Sequence, residues 1–315
     1  MADPASVVLS IVIPLFNEEE TVAELVRRTL EQVRRLDVTC EVLLVDDGSR
    51  DRTLQRITHL SQLHPELRVL ELSRNFGHMA ALQAGIAQSR GKAVITLDGD
   101  LQDPPELIPR LFSKWREGSE LVLAVRTARD EPLLRRWGTT LFYGLLRRVS
   151  EIPIPSQVGT YGLMDRQVVE TLNQMPARVR FFAGLRIWAG GRTATVSYDR
   201  PARPYGASKV GTLGLIRLAL VALVSFSKAP LRFASALSLL FSIALFLLGF
   251  SAVLIRLMTH LAIPGWATTT TLLGLIGSIQ SLVLAILSEY VAVLFDEIKG
   301  RPLYRIQREI RGGVG

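Results

Sequence analysis

Through Arg126 the chain alternates short apolar runs with amphipathic stretches, and each apolar run closes on a polar cluster. Leu9–Leu15 is an apolar run containing Pro14 and followed by Asn17-Glu18-Glu19-Glu20. Val22, Leu25, Val26, Leu30 and Val33 then recur at helical spacing, which predicts strand, turn, helix. Glu41–Val45 predicts a second strand ending at Asp46-Asp47-Gly48-Ser49. Leu67–Leu72 predicts a third, ending at Ser73-Arg74-Asn75-Phe76-Gly77. Met79–Ser89 reads as a helix, Ala93–Leu97 as a fourth strand, and Leu121–Val125 as a fifth that ends at Arg126. Strands alternating with helices predict an α/β fold whose mostly parallel sheet is joined by right-handed crossovers. Ligands bind such sheets beyond the carboxyl ends of the strands, so the polar clusters should converge along one edge.

The pattern changes in the last third. Phe233–Ile255 and Trp266–Ser288 are each 23 residues without a charge, long enough as helices to cross a hydrocarbon core of roughly 30 Å. Leu213–Ser227, apolar apart from Arg217, is too short to span and suits a helix lying in the interface. The expected organisation is a catalytic domain over residues 1–204, interfacial helices over 205–232, two transmembrane helices with a short outside loop over 233–295, and a basic tail over 296–315.

Composition and charge support this division. Of 315 residues 48% are hydrophobic, and the net charge is +8. A nucleic-acid partner would explain the sign, but the basic residues cluster at the membrane flanks: Lys228 and Arg232 before the first run, Lys299, Arg301, Arg305, Arg308 and Arg311 after the second. The intervening Leu257–Thr271 carries no Lys or Arg, so the positive-inside rule places both long termini in the cytoplasm. The lone Cys40 rules out an internal disulfide and fits a reducing compartment.

The fourth strand ends in Asp98-Gly99-Asp100-Leu101-Gln102-Asp103. Two carboxylates one residue apart, with a small Gly99 letting the chain bend between them, can reach one hard cation. Mg²⁺ or Mn²⁺ held by one or two carboxylates and completed by phosphate oxygens is a usual arrangement for nucleotide substrates. After the first strand comes Pro-Leu-Phe-Asn-Glu, without the glycine-rich phosphate turn of a Rossmann dehydrogenase, and the P-loop pattern is missing too. A metal on Asp98 and Asp100 is thus the available neutraliser of nucleotide phosphates. His78 reads as a polar residue at a helix start.

With Asp46-Asp47-Gly48-Ser49, Arg74-Asn75-Phe76-Gly77, Asp98-Gly99-Asp100-Leu101-Gln102-Asp103-Pro104-Pro105-Glu106, Ser288-Glu289-Tyr290 and Arg301-Pro302-Leu303-Tyr304, the chain resembles the polyisoprenyl-phosphate glycosyltransferases. These are GT-A enzymes of glycosyltransferase family 2 that include the dolichol-phosphate mannose synthases. The resemblance implies a Rossmann-like sheet with two C-terminal spans, in the bacterial inner membrane with the catalytic domain cytoplasmic. It implies metal-dependent, inverting transfer of a sugar from a nucleotide-sugar, with UDP the better guess, to undecaprenyl phosphate. It assigns Pro14, Asn17, Glu18, Asp46, Asp47, Asp98, Gly99 and Asp100 to the donor, and Asp98, Asp100 and Gln102 to the metal. Arg126, Arg135, Thr139, Arg203, Ser208 and Lys209 fall to the acceptor phosphate; apart from the resemblance, Asp103 is the remaining candidate for a base or sugar contact. A homo-oligomer is compatible with such a protein.

The chain also departs from the family. Where members often have Asp-x-Gly-Asp-Phe-Arg, it reads Gln157-Val158-Gly159-Thr160-Tyr161-Gly162, and Ala207 replaces an acidic residue after Gly206. Sugar specificity is therefore open, a GDP-mannose donor is an alternative, and so is a catalytically degenerate membrane scaffold. A processive polysaccharide synthase is less well supported, because Arg136-Trp137 lacks the glutamine of the acceptor motif.

Overall fold

The computed structural model describes residues 7–127, 158–175, 182–199, 265–298 and 302–311, together with individual helical positions between 236 and 258. The chain divides into two units. One comprises Met1–Tyr143, Ile152–Gly211 and Arg301–Gly315; the other comprises Gly144–Glu151 and Thr212–Gly300.

The first unit is built on one eight-stranded sheet. Strands β1 (Leu9–Leu15), β2 (Cys40–Asp46), β3 (Leu67–Leu72) and β4 (Ala93–Thr96) alternate with helices α1 (Val22–Arg34), α2 (Thr53–Leu63) and α3 (His78–Gln88). After a short 3₁₀ turn come α4 (Ile108–Arg116), β5 (Leu121–Arg126), β6 (Val158–Asp165), α5 (Arg166–Gln174), α6 (Phe182–Trp188) and β7 (Thr193–Tyr198). The strand order is β7-β5-β6-β4-β1-β2-β3-β8, where β8 is Ile306–Arg311. The β4-β1-β2-β3 block is parallel throughout, and β7 runs parallel to β5. Strand β6 is antiparallel to β4 and β5, and β8 to β3. The expected mostly parallel α/β sheet is present, with these antiparallel additions on either side of its centre.

Alternation along β1 explains the layers. Leu9, Ile11 and Ile13 bury with Val22, Leu25, Val26 and Leu30 of α1 in the main core, as the helical spacing of those residues predicts. Val12 points to the other face, where a side chain at Gly85 of α3 would lie 2.3 Å from Val12 Cγ1. Helix α3 is therefore small-residued where it meets the sheet, and buried from Ala80 to Ile86.

Strand β8 lies within the stretch read from sequence as a basic tail. It pairs antiparallel with β3, and Arg68 of β3, itself buried, binds Glu41 of β2 at 2.5 Å and Glu309 of β8 at 2.9 Å. Arg308 reaches Glu71 at 2.9 Å. Charged side chains on an outermost strand discourage pairing with other chains, and they hide the strand from a hydrophobicity reading.

In the second unit, helix α7 (Trp266–Ile298) is 33 residues long. Leu273, Leu275, Leu282, Leu284, Leu287 and Leu294 are exposed on it. A groove of about 500 Å³ runs between this helix and Ser238 and Phe241, lined on α7 by Ile276, Ile279, Gln280, Val283 and Leu284. Several side chains of α7 lie outside the described set, as does most of the first apolar run. Counting the described residues alone, no helix is long and apolar enough to cross a membrane. The interfacial segment 205–232 also lies outside the described residues.

Candidate active site at the strand ends

Register brings the first polar clusters together, because Leu15 of β1 sits opposite Asp46 of β2. Asn17 takes a left-handed conformation (φ 54), which asparagine tolerates better than most residues. Its Oδ1 accepts from the Arg50 N–H at 2.8 Å, and its own N–H donates to Ser49 Oγ at 3.1 Å. The Glu18 N–H donates to Thr53 Oγ1 at 2.8 Å. Asp46 accepts from the Ser49 N–H at 3.2 Å. Asp47 accepts from the N–H groups of Phe76 at 2.7 Å and Gly77 at 2.9 Å, one per oxygen. These bonds tie the end of β2 to the turn after β3. Burial pushes both the Asp46 and Asp47 carboxyls above the usual range, and the N–H donors offset this only in part. Pro14 is buried within β1.

The second part of the edge lies beyond β4. Asp98 Oδ1 accepts from Thr160 Oγ1 at 2.8 Å and lies 3.4 Å from His78 Nε2. His78 is thus both the first residue of α3 and a neighbour of Asp98. Asp100, 8% exposed, accepts from the Gln102 N–H at 3.1 Å. The chain turns at Gly99 and Asp100, as expected, and the next residue, Leu101, takes a left-handed conformation (φ 59). Gly99 is small for another reason: a side chain there would come within 2.7 Å of Leu15 Cδ2 and 2.9 Å of the Pro14 carbonyl oxygen.

A third group closes the edge. Asp103 has no exposed surface, and its Oδ1 accepts from the Tyr198 hydroxyl at 2.6 Å. The same hydroxyl oxygen accepts from Arg126 Nε at 3.3 Å. Burial, reinforced by Asp103, raises the Tyr198 hydroxyl well above its ordinary range, so it stays a donor. Arg126 is packed along Gly159, where an added Cβ would sit 2.6 Å from its Nη2. The guanidinium of β5, the hydroxyl of β7 and the carboxylate after β4 form one chain.

Thr160 and Tyr198 were not singled out from sequence. They lie 62 and 95 residues from the carboxylates they bind, so no local spacing marks them. Arg135, Thr139, Arg203, Ser208 and Lys209 lie outside the described residues. As a cation site, Asp98 and Asp100 offer two carboxylates, and the described residues hold no group of three His, Cys, Asp or Glu ligands. Such a donor set fits a hard cation that takes its remaining oxygens from a bound diphosphate.

Carboxylates and an arginine gather at the strand ends of an α/β sheet, the edge at which such folds bind their ligands. Residues 10–172 match the model of glycosyl transferase family 2, and the chain belongs to that family. It is 38% identical over 299 residues to an uncharacterised glycosyltransferase of Synechocystis sp., covering 95% of this chain and 94% of the relative. It is 35% identical over 305 residues to the SfII prophage-derived bactoprenol glucosyl transferase of Shigella flexneri, covering 96% and 99%. The resemblance to polyisoprenyl-phosphate glycosyltransferases therefore holds over nearly the whole chain, and the protein is a glycosyltransferase. A mycobacterial protein of known structure, 23% identical, matches with a TM-score of 0.50 over 70% of this chain and 75% of its own; that likeness concerns the fold alone.

Proposed function

We propose that this enzyme transfers a sugar, glucose in the first instance, from its UDP conjugate to undecaprenyl phosphate at the cytoplasmic face of the bacterial inner membrane. The observation that carries the reading is the adjacency of Asp98 and Arg126, which meet opposite ends of one short peptide: Thr160 binds Asp98 and Gly159 packs on Arg126. A carboxylate suited to a metal–diphosphate thus neighbours a guanidinium suited to gripping a second phosphate bidentately. The relatives named bactoprenol glucosyl transferase support the acceptor. Two uncharged 23-residue runs, and exposed leucines along α7, support membrane insertion. A polyprenol cannot leave the bilayer cheaply, so the enzyme must work beside it.

In this reading an oxygen of the acceptor phosphate attacks the anomeric carbon in line, the bond from that carbon to the diphosphate breaks, and the nucleoside diphosphate leaves with inversion. A phosphate monoester has a second pKa near 6, so at pH 7 the acceptor is largely dianionic and needs no base. Neutral Gln157 and Thr160 are then tolerable in place of carboxylates. Asp98 and Asp100, with Gln102 beside them, would hold Mg²⁺ or Mn²⁺, which when bound supplies Lewis-acid stabilisation of the leaving diphosphate. Arg126 holds and orients the acceptor phosphate, and Tyr198 fixes Arg126. Arg135, Thr139, Arg203, Ser208 and Lys209 are proposed as further acceptor contacts.

The test is sugar transfer by the full chain in detergent, with undecaprenyl phosphate, Mg²⁺ or Mn²⁺, and labelled UDP-, GDP- and dTDP-sugars. A labelled lipid formed from a UDP-sugar and lost on adding EDTA is the expected result. A product from GDP-mannose alone would reassign the donor. Nucleotide-sugar binding without turnover would replace the enzyme with a scaffold.

A further inference from the structure

Arg186 of α6 belongs to none of the motifs above, yet it heads the fully buried side chains by size, with no exposed surface. Its Nη1 donates to the Thr160 carbonyl at 3.1 Å and its Nη2 to the Gly159 carbonyl at 2.6 Å. The guanidinium stacks 4.8 Å from the Phe182 ring centre, and Nε has no hydrogen-bond partner among the described residues. Among the described residues it makes no ion pair. Burying such a cation is costly, so it calls for a reason. Burial pulls the guanidinium down to about 10 while Asp98 pulls it back up; it is charged at neutral pH, and the carboxylate it senses is Asp98.

Its position coincides with the departure in β6. Gly162 stands where the family often has arginine, and a Cβ at Gly162 would lie 3.0 Å from Arg186 Nη1. Helix α6 thus delivers a guanidinium to the space beside the residue that lacks one. The Gly159–Thr160 peptide is held from both sides, by Arg126 along Gly159 and by Arg186 on the carbonyls, and Thr96 Oγ1 adds a bond to the Thr160 carbonyl at 2.5 Å.

Resting on the functional reading above, we propose that Arg186 is a positioning residue for the metal edge: by gripping the Gly159 and Thr160 carbonyls it sets the Thr160 hydroxyl on Asp98, and so the geometry with which Asp98 meets a divalent cation. Outer groups that orient a metal ligand typically contribute about 10–100-fold to metal affinity.

The experiment measures Mn²⁺ binding by electron paramagnetic resonance on the full chain in detergent with UDP present, alongside kcat at saturating Mn²⁺ and the melting temperature. Wild type is compared with Arg186→Met, Arg186→Lys, Thr160→Val and the double variant Arg186→Met/Thr160→Val. Arg186→Met should weaken Mn²⁺ binding about 10–100-fold, and Thr160→Val should weaken it in the same direction. The double variant should be no weaker than Arg186→Met alone, because both act along one path. Arg186→Lys should recover only part of the affinity, since an ammonium lacks the fork that takes both carbonyls. Additive effects, or a folded Arg186→Met with wild-type Mn²⁺ affinity, would overturn the proposal. If Arg186→Met does not fold, wild-type affinity in Arg186→Lys and Thr160→Val would overturn it equally. Failure of the wild type to bind Mn²⁺ with UDP would instead remove the functional reading on which it rests.

Discussion

On the β1–β3 side of the strand-end edge, carboxylates are held by main chain: Asp47 by the Phe76 and Gly77 N–H groups, Asp46 by that of Ser49. On the β4–β7 side, carboxylates are held by side chains from other strands: Asp98 by Thr160, Asp103 by Tyr198, with Arg126 drawn into the second pair. The first side is a set of turns stiffened by backbone bonds, suited to a fixed nucleotide. The second is a network of charge and hydroxyl, suited to a reaction in which charge moves from one phosphate to another. The two sides should therefore fail differently when altered.

The largest effect is expected at Asp100. Asp100→Asn should lower transfer by at least about a hundredfold with the melting temperature little changed; a fully active variant would end the metal reading. Tyr198→Phe comes next. It removes the hydroxyl between Arg126 and Asp103, and hydrogen bonds to charged groups contribute about 1.5–3 kcal/mol. A loss of about tenfold or more in transfer is expected, together with a lower melting temperature. Unchanged rates would show that Arg126 needs no such support.

On the other side, Asp47→Asn puts an NH₂ against one backbone N–H. The expected cost is about 1–3 kcal/mol of stability, read by thermal melting, with weaker UDP binding read by calorimetry. Asp46 gives the smallest effect and the opposite sign. Its Oδ1 is buried with no hydrogen-bond partner among the described residues, and burial raises the carboxyl. A raised native pKa means that the folded chain holds its proton to higher pH than the unfolded one. The contribution of Asp46 is thus most favourable in acid and declines as pH rises from about 3.9 through the native value. Asp46→Asn should stabilise the protein by about 1 kcal/mol or less at pH 7, with the gain shrinking towards pH 4. A variant less stable than wild type at pH 7 would refute this.

What could be read in advance follows the same division. The β1–β3 side was legible because each strand and its polar cluster are contiguous: Leu15 through Glu18, Asp46 through Ser49, Arg74 through Gly77. Parallel pairing in register then brings them together without further information. The β4–β7 side was legible only at Asp98–Asp103 and Arg126. Thr160, Tyr198 and Arg186 arrive from β6, β7 and α6, and their partners are 26 to 95 residues away. Thr160 stood in view only as a missing carboxylate, and its hydroxyl on Asp98 emerges from the antiparallel pairing of β6 with β4. Strand β8 escaped because Gln307, Arg308, Glu309 and Arg311 make an outermost strand look like a solvated tail.

The central claim, that the β1–β3 turns hold the nucleotide while Arg126 and Tyr198 hold the acceptor phosphate beside the diphosphate carboxylates, is tested most directly by initial rates of transfer with both substrates varied. Asp47→Asn should raise KM for the nucleotide-sugar and leave that for undecaprenyl phosphate unchanged, whereas Tyr198→Phe should do the reverse. If both variants shift the same KM, or if Tyr198→Phe acts on the donor, the assignment of Asp47 to the nucleotide and of the Arg126–Tyr198 pair to the acceptor is wrong.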